Sequence, residues 1–96
     1  MMQRLFFKQA YVESILNKEK RCTARARRVP VEPGARMIAC VGLSRPFAIL
    51  RVLEQSYVPV ASLEAGQRKE LRRLYPRCTM VWLLTYCLES GWPPPD

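Results

Sequence analysis

The stretch that decides the fold is YVESILNKEKRCTARAR, residues 11–27. Its first half places four apolar side chains at the i, i+1, i+4 and i+5 spacing of one helical face. These residues are Tyr11, Val12, Ile15 and Leu16. We therefore predict a helix over residues 9–17 that stops at Asn17. The second half alternates small apolar residues with charged or polar ones, which is typical of a strand with one face in water.

Positive charge is concentrated in and around this strand. Residues 18–28 hold six Lys or Arg and one Glu, so they contribute +5 of the formal net charge of +8. Such a face takes phosphates, and its arginines can also stack on bases. The alternative is a solvated edge strand whose charges discourage aggregation. We predict a nucleic-acid-binding cleft formed by Lys18, Lys20, Arg21, Thr23, Arg25, Arg27 and Arg28.

The rest of the chain supplies elements for a small α+β domain. Short apolar, β-rich runs predict four further strands, over residues 4–7, 37–41, 47–53 and 79–87. The resulting order, β-α-β-β-β-α-β, predicts a partly closed barrel of about five strands with two helices. Residues 91–96, GWPPPD, are predicted to form a Pro-rich tail after a domain that spans residues 1–90.

A second helix is predicted over residues 63–75. Ser62 is a suitable N-cap, and the pairs Glu64/Arg68 and Glu70/Arg73 have the spacing of ion pairs within a helix. We expect the arginines on its polar face to be solvated.

The composition excludes several classes of site. The 96 residues include no histidine, which excludes His-based triads, His-ligated metals and an imidazole proton shuttle. The four cysteines follow one another at spacings of 18, 38 and 9 residues, so a zinc site would need ligands from four separate segments. We predict neither a metal nor a cofactor, which leaves Lys, Thr, Ser, Glu, Cys and backbone amides for chemistry.

The sequence also predicts a cytoplasmic protein without membrane contact. Lys8 and Glu13 interrupt the apolar residues near the N-terminus, which is not the pattern of a signal peptide. The longest apolar stretch, residues 80–88, is about half the length that a membrane span requires.

The stretch from residue 11 to residue 27 resembles the signature of the ASCH domain, a branch of the PUA-like superfamily. In that family a helix ends in a leucine, and a GxKxxExR-type motif leads into the second strand. The motif's lysine falls on Lys20 and its arginine on Arg25. Thr23 takes the glutamate position, as in some small members, and Lys18 stands where the family has glycine.

The resemblance extends over most of the chain, from about residue 6 to residue 88. The Pro-Gly turn at residues 33–34, the strand PFAILRV at 46–52 and the segment LRRLYP at 71–76 are similar to small ASCH proteins. The aspartate that often follows Pro-Gly in the family is Ala35 here. The resemblance implies a PUA-like fold and RNA as the partner.

The resemblance also implies an alternative function. Some small ASCH proteins are amidohydrolases that remove the acetyl group from N4-acetylcytidine with Lys, Thr and Glu side chains. Lys20 and Thr23 match the first two, and Glu64 or Glu70 is the candidate for the third. A desolvated lysine of lowered pKa can take the proton of a hydroxyl nucleophile. The ligand is then a modified nucleoside.

Two further hypotheses concern the partner. The first is an adaptor that docks an acidic protein partner, which would be indifferent to RNA. If RNA is the partner, Tyr57 and Trp92 are the aromatic residues in loop-like surroundings and are the candidates for stacking a base. The other aromatic residues, Phe6 among them, are predicted to lie in the core.

Overall fold

Five strands form one curled sheet, and two helices pack on it. The computed structural model describes residues 2–95. The strands are β1 (Gln3–Phe7), β2 (Cys22–Arg25), β3 (Arg36–Val41), β4 (Arg45–Pro59) and β5 (Met80–Gly91). The helices are α1 (Val12–Leu16) and α2 (Ala65–Leu74), each preceded by a 3-10 turn, Gln9–Tyr11 and Val60–Ser62 respectively. The predicted element order is confirmed, as is the α+β class.

The sheet order is β1-β3-β4-β5-β2. Strand β1 runs parallel to β3, and the other neighbours are antiparallel. The pairing register shifts once between β3 and β4 and twice between β4 and β5. Irregularities of this kind bend a strand and increase its twist, so the sheet curls into a half barrel. The predicted partly closed barrel is therefore confirmed, with β1 and β2 as its two free edges.

Strands β4 and β5 are longer than the sequence predicts. The predicted strand 47–53 continues to Pro59 through Glu54, Gln55 and Ser56, because these residues stay paired with β5. Because these side chains are polar, a hydrophobicity pattern does not extend the predicted strand over them. Strand β5, predicted over residues 79–87, continues to Gly91, the first residue of the predicted tail. Met1 and Asp96, the outer ends of the predicted domain and tail, lie outside the described residues.

The N-terminus of α2 differs from the prediction. Ser62 does not cap it, because its hydroxyl donates to the carbonyl of Pro59 (2.7 Å) and α2 begins only at Ala65. Both predicted ion pairs within the helix are also wrong. Arg68 donates to the carbonyls of Ala61 and Leu63, and Glu70 pairs with Lys8.

Apolar side chains are buried on both faces of the sheet. On the inner face of the half barrel the core includes Phe7, Ile15 and Leu50. On the outer face α2 covers a smaller cluster that includes Leu71 and Val81. The helix is thereby fixed beside β2, while α1 and β1 approach β2 from the other side.

Helix α1 ends in a Schellman motif. The Lys18 N–H donates to the carbonyl of Ile15 (3.1 Å), and the Glu19 N–H donates to that of Ser14 (2.9 Å). This geometry needs a left-handed residue, and Lys18 has a φ of 65°. Left-handed backbone favours glycine, which has no Cβ to clash, so the family's glycine at this position has a structural explanation.

We expect Lys18→Gly to raise the free energy of unfolding by about 1 kcal/mol, because it removes the left-handed strain of a residue with a Cβ. Urea unfolding followed by circular dichroism measures the change. Lys18→Ala is the matched control, since it removes the same charge but keeps the Cβ. If the alanine variant is stabilised as much as the glycine variant, charge rather than backbone strain is responsible.

Candidate functional site

A cleft of about 780 Å³ opens between β2, the end of β1 with the turn that follows it, and α2. Since β1 and β2 are the free edges of the curled sheet, the cleft lies in the gap where the barrel does not close. Four residues predicted for catalysis come from two separate segments of the chain and all line this cleft. They are Lys20, Thr23, Glu64 and Glu70.

Thr23 is buried at the base of the cleft, with 7% of its surface exposed. Its register partner Leu84 belongs to the inner core, so the threonine side chain lies on the inner face of the half barrel. Its Oγ1 accepts a hydrogen bond from Nε of Arg25 (3.2 Å). The hydroxyl proton is therefore directed elsewhere, and the oxygen has a charged donor beside it.

Arg25 connects the two edges of the sheet. Its Nη2 donates to the carbonyl of Phe6 in β1 (2.8 Å), and its guanidinium carbon lies 5.2 Å from the ring centroid of Phe7. Burial lowers the pKa of Arg25 from its ordinary value. The predicted wet, positive strand face thus has its arginine folded inward, where it bridges β1 and β2.

Lys20 lies half-buried in the wall of the cleft. Its Nζ is 4.6 Å from the ring centroid of Tyr11, which is a cation–π distance. Burial lowers the pKa of Lys20, while the thiol of Cys22 and the carboxylate of Glu70 act in the opposite direction. At a given pH, a larger fraction of Lys20 is therefore the neutral amine than for a lysine in water, as a general base requires.

The two glutamates have different surroundings. Glu70 accepts hydrogen bonds from the Lys8 ammonium and the Tyr11 hydroxyl, and these bonds lower the pKa of Glu70. The same bond to Glu70 raises the pKa of Tyr11 to about 12. Glu64 is exposed at the N-cap of α2 and forms no side-chain hydrogen bond with the rest of residues 2–95. Glu70 is therefore a fixed carboxylate, whereas the side chain of Glu64 is free to turn toward a ligand.

The other predicted phosphate ligands lie outside the cleft lining. Lys18 and Arg21 are exposed beyond the end of α1, and Nε of Arg21 donates to the carbonyl of Lys18 (3.0 Å). Arg27 and Arg28 are exposed after β2, and Arg28 pairs with Glu32 (3.1 Å). Of the seven residues predicted to bind nucleic acid, those that line the cleft are Lys20, Thr23 and Arg25.

The cleft is balanced in charge rather than basic. Its lining includes three basic residues, Lys8, Lys20 and Arg25, and three acidic residues, Glu19, Glu64 and Glu70. These cancel, so the whole formal net charge of +8 belongs to residues outside the lining. The sequence pattern missed this balance because two of the glutamates come from α2 and its N-cap.

Two aromatic residues at the mouth of the cleft were not among the predicted stacking residues. Phe6 is 47% exposed, and Tyr75 at the end of α2 is 48% exposed. Placing Phe6 in the core was wrong, because Leu5 and Phe7 turn inward on β1 and the alternation turns Phe6 outward. Since neighbouring residues of a strand point to opposite faces, the sequence already implied that Phe6 and Phe7 could not both face the inner core.

The two predicted stacking residues are exposed but lie elsewhere. Tyr57, 54% exposed, is on β4 and packs against Trp82, with ring centroids 5.0 Å apart. Trp92 follows β5 and is 41% exposed. Both lie outside the cleft lining.

The described residues, 2–95, contain neither a cluster of metal-ligating side chains nor a candidate membrane-spanning helix. Within residues 2–95 no three Cys, Asp or Glu side chains are close enough to hold a metal ion, and the four cysteines are free thiols. Neither described helix is long and apolar enough to cross a membrane.

Comparisons with known proteins match only at the level of structure. No family model matches the chain, and no curated protein sequence does. Protein EF3133 from Enterococcus faecalis, of family DUF984, is 13% identical and has a TM-score of 0.70, with 100% of this chain and 86% of that chain covered.

Two solved ASCH structures are also similar. The ASCH domain from Lactobacillus crispatus is 11% identical, with a TM-score of 0.77 and coverage of 93% of this chain and 80% of that chain. A variant of an ASCH protein from Zymomonas mobilis is 13% identical, with a TM-score of 0.76 and coverage of 97% and 73% respectively. The predicted ASCH-like fold is therefore confirmed.

Proposed function

We propose, with the ASCH-like fold as the premise, that this protein is a cytoplasmic RNA-binding domain. Its cleft takes one nucleoside of the RNA, and the exposed basic residues around the cleft hold the phosphates. The proposal rests chiefly on the separation of charge between the cleft and the rest of the surface. A lining of three basic and three acidic residues suits an uncharged base and ribose better than a run of phosphates.

The size and walls of the cleft support a nucleoside as its occupant. About 780 Å³ lies within the range of ligand pockets, which is about 300–1,000 Å³. Phe6 and Tyr75 offer exposed rings at the mouth, and an unpaired base can stack on such rings.

The excess of basic residues outside the cleft supports a polyanion as the partner. Arg27 and Arg28 follow β2 directly, and Arg72 and Arg73 lie exposed in the last turn of α2. Arg73 is near enough to the cleft to lower the pKa of Glu70. Phosphates of the nucleotides that flank the bound base would meet these residues.

We expect affinity for a short single-stranded RNA to fall as salt rises, and the double variant Arg27→Ala/Arg28→Ala to flatten this dependence. Each lost phosphate contact reduces the slope of log K against log salt by about 0.7 for a single strand. Fluorescence anisotropy over a salt series measures the slope. Arg36→Ala is the control of like chemistry, because Arg36 pairs with Glu89 and lies outside the cleft lining.

RNA affinity that does not respond to salt would contradict the phosphate contacts. Absence of RNA binding in the wild-type protein would remove the proposal and leave the acidic protein partner as the hypothesis to test.

A second candidate function is hydrolysis of N4-acetylcytidine in the same cleft. The observation that favours it is the presence of Lys20, Thr23, Glu64 and Glu70 around one cavity. Thr23 Oγ1 is the candidate nucleophile, and Lys20 has the lowered pKa that a base needs. Arg25 Nε, already bonded to Oγ1, would stabilise negative charge that develops there.

The reaction proceeds in two parts. Thr23 Oγ1 attacks the acetyl carbon while the Lys20 amine takes the hydroxyl proton. The bond from that carbon to N4 breaks, the nitrogen takes the proton from Lys20, and cytidine leaves. Water then hydrolyses the acetyl-threonine ester, which releases acetate and restores the hydroxyl. Glu70 positions Lys20 through Tyr11, and Glu64 is the carboxylate available to carry protons to and from water.

A further inference from the structure

The free edge of β2 faces the cleft, and the pairing on its other side determines which backbone groups are exposed there. The Tyr86 N–H donates to the carbonyl of Arg21 (2.9 Å), which makes these two a hydrogen-bonded pair of the antiparallel ladder. Such pairs alternate with pairs that are not hydrogen-bonded. The pairs Thr23↔Leu84 and Arg25↔Trp82 are therefore bonded, and Ala24↔Leu83 between them is not.

It follows that the N–H and C=O of Ala24 point away from β5, toward the cleft. Ala24 lines the cleft, whereas its methyl group packs in the cluster beneath α2. Among residues 2–95 no side chain bonds to either group, and no backbone group outside the ladder does so. One donor and one acceptor thus lie side by side in the wall of a pocket.

We infer that the Ala24 backbone reads the Watson–Crick edge of the base that occupies the cleft; the inference rests on the proposed binding of a nucleoside there. In cytosine the exocyclic amino group is a donor beside N3, an acceptor, so the base complements the Ala24 C=O and N–H. A peptide strand added to β2 is a poorer fit. Only four residues form β2, and side chains from β1 and α2 flank its free edge.

This reading mode determines the kind of RNA that is recognised. A base whose Watson–Crick edge is engaged by Ala24 cannot at the same time be paired with another base. The target must therefore be unpaired or flipped out of a helix. N4-acetylcytidine keeps one N4–H, so it satisfies the same pair of contacts as cytidine.

Two matched comparisons by fluorescence anisotropy test the inference. Wild-type protein is titrated into single-stranded RNAs that carry either 5-methylcytidine or N4,N4-dimethylcytidine at the central position. The second analogue has no amino hydrogen left to donate, and we expect it to bind about tenfold more weakly.

In the protein, Ala24→Pro removes the N–H without loss of a ladder bond, and Ala24→Ser keeps it. We expect about tenfold weaker binding of the 5-methylcytidine RNA for the proline variant only.

The outcomes separate this inference from the function on which it rests. Equal affinity of wild-type protein for the two RNAs overturns edge reading by Ala24 and leaves RNA binding standing. Binding of neither RNA removes the proposed function itself. If Ala24→Pro does not fold, the comparison of the two analogues on wild-type protein still decides.

Discussion

Thr23→Ala is expected to lower the rate of N4-acetylcytidine deacetylation by at least about a thousandfold, the scale of losing a nucleophile. The hydroxyl is buried at the base of the cleft, and the lysine of lowered pKa that would take its proton lines the same cavity. Product analysis by liquid chromatography, with acetylated cytidine or oligonucleotide as substrate, measures the rate. RNA affinity should change little, because a base in the cleft does not depend on this hydroxyl.

Two variants at the same position separate chemistry from packing. Thr23→Ser keeps a hydroxyl and should retain measurable deacetylation. Thr23→Val keeps the shape of the side chain in the core and should be as inactive as the alanine variant. Activity in Thr23→Val would contradict the nucleophile. Wild-type protein that binds RNA but leaves the acetyl group in place would remove the second candidate function and keep the first.

Arg25→Ala is expected to lower the free energy of unfolding by about 2–3 kcal/mol, the value of hydrogen bonds to a charged donor in a partly buried place. The side chain bonds to the carbonyl of Phe6 and to the hydroxyl of Thr23 and lies over the ring of Phe7. The contacts with Phe6 and Phe7 join β2 to β1, which share no backbone ladder. Urea unfolding measures the loss. In a thermal scan, the unfolding temperature of a domain of this size should fall by roughly 4–8 °C per kcal/mol.

The comparison with Arg27→Ala provides the control. Arg27 is exposed in the same basic run, so its removal should change stability by less than about 0.5 kcal/mol. Arg25→Lys keeps the charge but cannot reach two acceptors with a planar fork, and it should lose most of what the alanine variant loses. Equal stability of the Arg25→Ala protein and wild type would contradict the role of Arg25 as the bridge between β1 and β2.

Local patterns in the sequence predicted the half of the site that lies near β2. The alternation of small and polar residues places Thr23 and Arg25 on one face, and the helix that ends near Asn17 places Lys20 just before the strand. These features depend on periodicity within a few residues. The two longest strands were underestimated because pairing with a neighbour, rather than hydrophobicity, sustains their polar ends.

The other half of the site depends on closure of the sheet, which no local pattern contains. One of the two acceptors for Arg25 is the carbonyl of Phe6, 19 residues away, and it is within reach only because the sheet curls. Glu70 was predicted to pair with Arg73, yet the packing of α2 places its carboxylate against Lys8 and Tyr11 instead. A count of charges along the chain therefore predicted a basic cleft where the folded chain has a balanced one.

The most direct test of the central claim is a titration of ¹⁵N-labelled protein with a short, unpaired, cytidine-containing RNA, followed by amide chemical shifts. If the cleft takes a nucleoside, the largest shifts should occur at residues of its wall, Lys20, Thr23 and Ala24 above all. Smaller, salt-sensitive shifts should occur at Arg27, Arg28 and the end of α2. Shifts confined to these exposed basic residues, with the cleft unperturbed at saturation, would contradict nucleoside binding in the cleft.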